Sequence, residues 1–148
     1  MKESRPILIV EDSDDDYYTT RRVLSALGSF HLDRCSKGTE VLDFLQTSQS
    51  PHEERTGPSL LILDLNLPGK KDGRVVLTEL KSDLRSRTIP VVVMTTSSSP
   101  RDVSECYQRG ASGYVVKPLD LDEFAACLKS LVVYWFETVL LPDKETSV

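Results

Sequence analysis

The sequence predicts an α/β fold in which a five-stranded parallel sheet carries helices on both faces. Five short apolar runs alternate with segments of helical length, and this strict alternation is typical of parallel sheets that are covered on both sides. Four of the runs end at reactive side chains: residues 7–10 at Glu11 and Asp12, residues 60–63 at Asp64, residues 91–94 at Thr95, and residues 114–116 at Lys117. Ligands of an open α/β sheet bind at the carboxyl ends of its strands, so we expect these side chains to meet at one edge.

The elements follow in chain order from the apolar runs and the helical periodicity. We predict strands at about 6–10, 30–35, 59–63, 89–94 and 112–116, helices at 14–27 and 38–47, and a further helix after each of the last three strands. Capping signatures mark three helix starts: Ser13 with Asp16, Ser99 before Pro100 with Asp102, and Asp120 with Glu123. Residues 48–58 are polar and rich in turn formers, which predicts the longest loop.

Length and charge exclude several classes of protein. A chain of 148 residues with 39% hydrophobic residues predicts a single domain, with a core at about 5–131 and a C-terminal extension at 132–148. A net charge of −5 leaves no basic stripe for phosphates, which argues against nucleic-acid binding. No apolar run approaches the roughly 20 residues that span a bilayer, and no signal peptide is present, so we expect a cytoplasmic protein that does not enter the membrane.

The three cysteines do not suggest a disulfide framework or a metal site. Cys35, Cys106 and Cys127 are odd in number, lie far apart and form no C-x-x-C pair. We therefore expect reduced, half-buried thiols.

The acidic residues at the strand ends predict a site for a divalent cation. Asp12 and Asp64 on neighbouring strands would repel each other without a positive group between them. Mg²⁺ accepts carboxylate and carbonyl oxygens, so Asp12, Asp64 and the backbone carbonyl of Asn66 would suffice as ligands, with Glu11 joining through water. Asp14, Asp15 and Asp16 follow Ser13, and we interpret them as helix-capping charges instead.

A single Asp after a strand is usually a turn residue or a helix cap, so Asp64 alone would not indicate a function. The combination carries more weight. Three other predicted strands also end at reactive groups: the acidic pair Glu11-Asp12, the Thr95 hydroxyl, and the Lys117 ammonium followed by Pro118. It is improbable that all of these are separate turn residues.

Four stretches of the chain resemble the receiver domain of bacterial two-component response regulators. They are residues 9–12 (IVED), residues 63–68 (LDLNLP) with Asp72-Gly73, residues 90–95 (PVVVMT) and residues 111–118 (ASGYVVKP). The resemblance extends from Ile7 to about Leu131. It implies a flavodoxin-like (βα)₅ fold with strand order 2-1-3-4-5.

The resemblance also implies a chemistry for the predicted edge. Asp64 would be the phosphoacceptor, taking a phosphoryl group from a phosphohistidine on a histidine kinase. Glu11 and Asp12 would form the acidic pocket for Mg²⁺, and Lys117 would pair with the incoming phosphoryl group. In that family a cis peptide bond precedes the proline, so the Lys117–Pro118 bond would be cis.

Two further residues would report phosphorylation. By resemblance, the Thr95 hydroxyl swings to the phosphoryl group, and Tyr114 rotates into the space it leaves. We choose Thr95 over Thr96 because it lies 22 residues before Lys117, a spacing that the family uses.

The C-terminal segment has apolar residues on more than one helical face. A stripe that would face the sheet contains Leu121, Phe124, Ala125, Leu128, Leu131, Val132, Trp135 and Val139, while Val133, Tyr134, Phe136, Leu140 and Leu141 lie outside it. This pattern predicts a homodimer, with Tyr134, Trp135, Phe136 and Leu140 as contact candidates. The alternative is that the tail folds back on its own domain. Loop and tail together narrow the resemblance to stand-alone regulators paired with bacterial phytochromes.

Two other functions remain open at this point. A Mg²⁺-dependent phosphatase with an aspartyl nucleophile usually has a second Asp two residues after the first, where this chain has Asn66. A flavodoxin-type binding module would hold a flavin and take no phosphoryl group. We expect a phosphorylatable receiver that is not itself an enzyme and that signals through protein contacts.

Overall fold

The structure is a computed structural model that describes residues 5–47 and 57–142. Five strands alternate with five α-helices in this part of the chain. The strands are β1 (Pro6–Val10), β2 (His31–Cys35), β3 (Leu60–Leu63), β4 (Val91–Thr95) and β5 (Gly113–Val116). The helices are α1 (Asp14–Leu27), α2 (Val41–Thr47), α3 (Gly73–Ser82), α4 (Pro100–Gln108) and α5 (Leu121–Val133). The predicted α/β alternation is confirmed.

The strands form one parallel sheet in the order β2-β1-β3-β4-β5, as the resemblance implied. The register aligns Val10 with Cys35 on one side and with Leu63 on the other, and Leu63 with Val93. Glu11 and Asp64 each follow an aligned residue. The parallel register therefore brings both carboxylates to the same edge of the sheet.

The two faces of the sheet are buried by different helices. Successive side chains of a strand point to opposite faces, so Leu8 and Val10 pack on one side while Ile7 and Ile9 pack on the other. The first side is covered by α2, α3 and α4, and the second by α1 and α5. Because both faces are covered, the inner strands β3 and β4 consist entirely of buried residues.

Two of the three predicted helix caps form as expected. Ser13 Oγ accepts from the backbone N–H of Asp16 at 3.2 Å, and Asp120 accepts from the first turn of α5. Ser99 occupies the N-cap of α4, but no backbone N–H of the described residues is capped by its side chain. Its own N–H donates to Ser97 Oγ, and Ser97 Oγ donates to Asp102 at 2.6 Å. The carboxylate predicted to support the cap thus holds the preceding loop.

The segment predicted as one helix at 38–47 has two parts. A 3₁₀ turn over Gly38–Glu40 precedes α2. Glu40 Oε1 accepts from the backbone N–H of Ser36 at 3.1 Å and of Lys37 at 2.8 Å, which draws the first turn tight. The loop predicted at 48–58 falls largely outside the described residues, which resume at residue 57.

The cysteines are more buried than expected. Cys35 and Cys106 are fully buried and Cys127 is half-buried, and all three are free thiols. Among the described residues, no helix combines the length and apolar character that a bilayer crossing requires.

Candidate functional site

Backbone hydrogen bonds place Glu11 and Asp64 beside each other at the ends of β1 and β3. The N–H of Asp64 donates to the carbonyl of Val10 at 3.0 Å, and the N–H of Glu11 donates to the carbonyl of Cys35 at 3.0 Å. The sheet ladder thus continues through both residues and holds their carboxylates at the edge. Gly73 approaches this point so closely that a Cβ there would lie 2.3 Å from the Asp64 carbonyl oxygen, which explains the glycine.

The carboxylates form a set that suits a divalent cation. One oxygen each of Glu11, Asp12 and Asp64 lies within 4.8 Å of the others. Glu11 and Asp64 are buried, while Asp12 is exposed, so the cluster is open to solvent on one side. Hard oxygen donors of this kind match Mg²⁺ or Mn²⁺. The Glu11 carboxylate lies within this cluster.

The Lys117 ammonium lies at the centre of the acidic residues. Its Nζ donates to Glu11 at 2.5 Å, to Asp16 at 2.9 Å and to Asp64 at 2.9 Å. Burial opposes the charge of Lys117, but these hydrogen bonds outweigh it and raise the pKa of the amine above its usual range. Burial also raises the pKa of the Glu11 carboxyl, although the Lys117 contact lowers it. The network is therefore a buried cation held by several carboxylates.

The expected cis bond before Pro118 is wrong, because the described residues contain no cis peptide bond. Lys117 reaches the site by strand geometry instead. Its N–H donates to the carbonyl of Thr95 at 2.7 Å, which extends the β4–β5 pairing by one residue beyond Val116. Val116 is exposed, so the next side chain along the strand points inward. The trans form is also the one that the X–Pro bond prefers.

Asp16 is the site residue that sequence reasoning missed. It was interpreted as a capping charge, and its N–H does bond to Ser13, but its carboxylate contacts Lys117. Asp14 likewise does more than cap, since it pairs with Arg34 at 2.8 Å. The available signal was position: the first turn of a helix that follows a strand directly rises over the carboxyl edge of the sheet.

Of the two residues expected to report phosphorylation, Thr95 adjoins the site, because its carbonyl accepts from the N–H of Lys117. Thr95 is completely buried, and its hydroxyl has no hydrogen-bond partner among the described residues. Thr96, the next residue, is exposed. Tyr114 is half-buried, and its hydroxyl donates to the carbonyl of Ser97 at 2.9 Å. Asn66, exposed in the loop after β3, donates its N–H to Asp64 Oδ1 at 3.0 Å.

The four dimer-contact candidates divide into two pairs. Tyr134 and Leu140 are exposed, whereas Trp135 and Phe136 pack against the core beneath α1 and α5. Phe136 was expected outside the sheet-facing stripe, and Leu121, expected inside it, is exposed. The physical reason for Phe136 is a π-helical turn over Tyr134–Thr138, which changes the phase of the helix at its end.

Comparison with known proteins gives a consistent result. A family model of the response regulator receiver domain matches residues 7–129. Response regulator Rcp1 of Synechocystis is 40% identical over 144 residues, covering 95% of this chain and 97% of Rcp1. The phosphorylated cyanobacterial phytochrome response regulator RcpA superposes with a TM-score of 0.85 at 32% identity, over 95% of this chain and 100% of RcpA. The Mn²⁺-bound form of Rcp1 gives a TM-score of 0.81 at 38% identity, over 94% and 99% of the two chains.

Proposed function

Because this chain belongs to the response regulator receiver family, we propose that Asp64 takes a phosphoryl group from the phosphohistidine of a histidine kinase. The observation that carries the proposal is the placement of the Asp64 carboxylate. It lies 2.9 Å from the Lys117 ammonium and belongs to the acidic cluster with Glu11 and Asp12. A carboxylate beside a fixed ammonium and a cation pocket is suited to receive an anionic group.

The proposed step exchanges one bond to phosphorus for another. An oxygen of Asp64 forms a bond to phosphorus, and the phosphorus–nitrogen bond of the phosphohistidine breaks. The electron pair of the broken bond stays with the imidazole nitrogen. A proton carried by the other ring nitrogen of the phosphohistidine leaves the released kinase histidine as neutral imidazole. The product on this chain is an aspartyl phosphate, which water can later hydrolyse at a slow rate.

The residues around Asp64 stabilise the charge that moves during transfer. Lys117 donates to the phosphoryl oxygens, while Asp12, Asp64 and the backbone carbonyl of Asn66 would hold Mg²⁺, with Glu11 joining through water. When bound, the cation neutralises charge on the phosphoryl oxygens. Little covalent assistance is needed, because positioning and electrostatics account for most of the catalysis of phosphoryl transfer.

Thr95 and Tyr114 are proposed to convert phosphorylation into a change of surface. The buried Thr95 hydroxyl lacks a partner, so a nearby phosphoryl oxygen would offer it a hydrogen bond. Its movement leaves space for Tyr114, whose hydroxyl now holds the β4–α4 loop at Ser97. The face formed by α4 and β5 then differs between the two states.

The partners follow from the relatives. The two solved structures named above are a phytochrome response regulator and a form of Rcp1, so we propose a phytochrome-type histidine kinase as phosphoryl donor in the cytoplasm. A homodimer through the exposed part of the C-terminal segment, and signalling through protein contacts, complete the proposal. The two alternatives from the sequence are less well supported, because neither accounts for the receiver-family match over residues 7–129.

Substitution of the acceptor tests this function. The chain is incubated with Mg²⁺ and acetyl phosphate, or with a phosphorylated phytochrome-type kinase, and the phosphorylated fraction is measured by intact mass. Wild type is expected to gain one phosphoryl group and Asp64→Asn none. Asp43→Asn, an exposed Asp on α2, serves as the matched control and should behave as wild type. Transfer that persists in Asp64→Asn would remove the acceptor assignment, and a yellow, flavin-containing protein would favour the binding module.

A further inference from the structure

The three protons of the Lys117 ammonium are all in use. An ammonium group has three donors and no acceptor, and here each donor has a carboxylate: Glu11, Asp16 and Asp64. The proposed function requires Lys117 to donate to a phosphoryl oxygen as well. One of the three contacts must therefore be given up as the phosphoryl group arrives, while the Asp64 carboxylate is still unreacted.

The three carboxylates differ in how easily they release Lys117. The side chains of Glu11 and Asp64 are 7% and 8% exposed, whereas that of Asp16 is 47% exposed. Glu11 is also tied by its other oxygen to the N–H of Ser13. Leaving a buried carboxylate without its cation is costly, while an exposed one is rehydrated at once. Asp16 is thus the contact that yields.

The position of Asp16 also adds charge where the donor must enter. Glu11, Asp12 and Asp64 already place three carboxylates at the edge, and Asp16 adds a fourth on the solvent side of Lys117. Its oxygens are not part of the 4.8 Å cluster that suits a cation. Its charge therefore opposes an anionic phosphoryl donor without contributing to the cation pocket.

We propose that Asp16 is a positioning residue for phosphoryl transfer, which holds the third proton of Lys117 until a phosphoryl oxygen replaces it and which restrains the entry of anionic donors. This inference rests on the proposed function. According to this proposal, Asp16 in the first turn of α1 affects the rate at which Asp64 is phosphorylated.

The test compares Asp16→Asn and Asp16→Ala with Asp15→Asn in the full-length chain with Mg²⁺. Asp15 is an exposed neighbour in the same first turn, so its substitution removes the same charge from the helix start without touching the Lys117 contact. With acetyl phosphate at low ionic strength, both Asp16 variants should be phosphorylated about fivefold faster than Asp15→Asn. The gain should fall below about twofold at high salt, because the effect is electrostatic. It should also be smaller with phosphoramidate, which carries less negative charge.

Several outcomes would overturn the inference. Equal rates for the Asp16 variants and Asp15→Asn would do so, as would slower transfer in both Asp16 variants or a gain that ignores salt. If the Kd for Mg²⁺ is more than about tenfold larger in Asp16→Asn than in Asp15→Asn, Asp16 is a ligand of the cation instead. If the wild-type chain takes no phosphoryl group from these donors or from a phosphorylated phytochrome-type kinase, the proposed function fails and this inference with it. If wild type is phosphorylated and only the Asp16 effect is missing, the inference alone fails.

Discussion

Thr95 has a buried hydroxyl without a hydrogen-bond partner among the described residues, which lowers the free energy of unfolding of the unphosphorylated state. An unsatisfied buried polar group costs about 1–3 kcal/mol. Thr95→Val keeps the shape and removes the hydroxyl, so we expect the free energy of unfolding to rise by about 1 kcal/mol. Phosphorylation of Asp64 should persist, while the response of Tyr114 to it should be lost. Urea unfolding measures the first effect, and NMR of the Tyr114 ring measures the second.

Thr96 provides the matched control for this prediction. It is the next residue and has the same side chain, but it is exposed. Thr96→Val should leave the free energy of unfolding within about 0.5 kcal/mol of wild type, as is usual for surface substitutions. A loss of stability in Thr95→Val, or a normal Tyr114 response to phosphorylation, would contradict the proposal that the Thr95 hydroxyl gains its hydrogen bond only from the phosphoryl group.

Cys35 predicts a loss of stability at alkaline pH. Burial, helped by the charges of Glu40 and Asp33, raises the pKa of the Cys35 thiol to about 12 from its ordinary value of 9.0. Because the pKa is raised in the folded state, the full contribution of this thiol to the free energy of unfolding is present below pH 9. Above pH 9 the unfolded chain ionises while the folded chain does not, so the free energy of unfolding declines. The free energy of unfolding should fall by about 1.4 kcal/mol for each pH unit above 9 on account of this group.

The measurement is urea unfolding between pH 8 and pH 10.5. Cys35→Ala should have the smaller dependence on pH, even though the cavity lowers its stability at every pH. Cys127→Ala, which removes a half-buried thiol, should keep the contribution of Cys35. Parallel curves for wild type and Cys35→Ala would show that the thiol is not the group concerned.

At the level of elements, the end of α5 is fastened to the domain by aromatic contacts. The ring centroids of Phe30 and Phe136 lie 5.7 Å apart. The guanidinium of Arg5 lies 5.7 Å from the ring centroid of Phe30 and 5.9 Å from that of Phe136. Both aromatic residues pack against the core that α1 and α5 cover. The π-helical turn is therefore part of the folded domain.

Removal of the Phe136 ring should weaken the whole fold. We expect Phe136→Ala to lower the free energy of unfolding by about 1–2 kcal/mol, less than for a fully buried phenylalanine. Leu140→Ala is the control, since Leu140 is fully exposed and should change stability by less than about 0.5 kcal/mol. Denaturant unfolding at pH 7 measures both variants. Equal stability of the two would place the aromatic contact outside the cooperative unit.

At the level of the whole molecule, the proposed homodimer has to use what the domain leaves uncovered. Tyr134 and Leu140 are 49% and 100% exposed, while Trp135 and Phe136 are engaged with their own chain. A truncation before Tyr134 would therefore remove core contacts together with the surface. Substitution of the exposed pair alone is the cleaner experiment.

We expect the double substitution Tyr134→Ser with Leu140→Ser to convert the proposed dimer to a monomer without loss of folding. Apolar side chains at the centre of an interface contribute most of its affinity, so their removal should weaken association strongly. Sedimentation equilibrium measures the mass, and Leu84→Ser, an exposed leucine outside the C-terminal segment, is the control. A mass that is the same in wild type and in the double variant would count against this surface.

Much of the fold was accessible from local patterns. The sequences of β3 and β4 are almost entirely apolar because both strands are buried on both faces, and this made the two strands easy to predict. Ser13 and Asp120 cap their helices because the cap and its partner are three residues apart. The 3₁₀ turn at Gly38–Glu40 was not foreseen, since it depends on the carboxylate of Glu40 turning back to the preceding backbone.

The amino-acid pattern was sufficient to place Glu11, Asp64, Thr95 and Lys117 at the ends of strands, because burial and periodicity act between residues that are close in the chain. Which of these groups touch was decided in three dimensions. The Lys117 ammonium contacts Asp16, which is 101 residues away in the chain, and Asp64, which is 53 residues away. Such choices depend on distances of a few tenths of an ångström between separate elements, and only the packed sheet edge sets those distances.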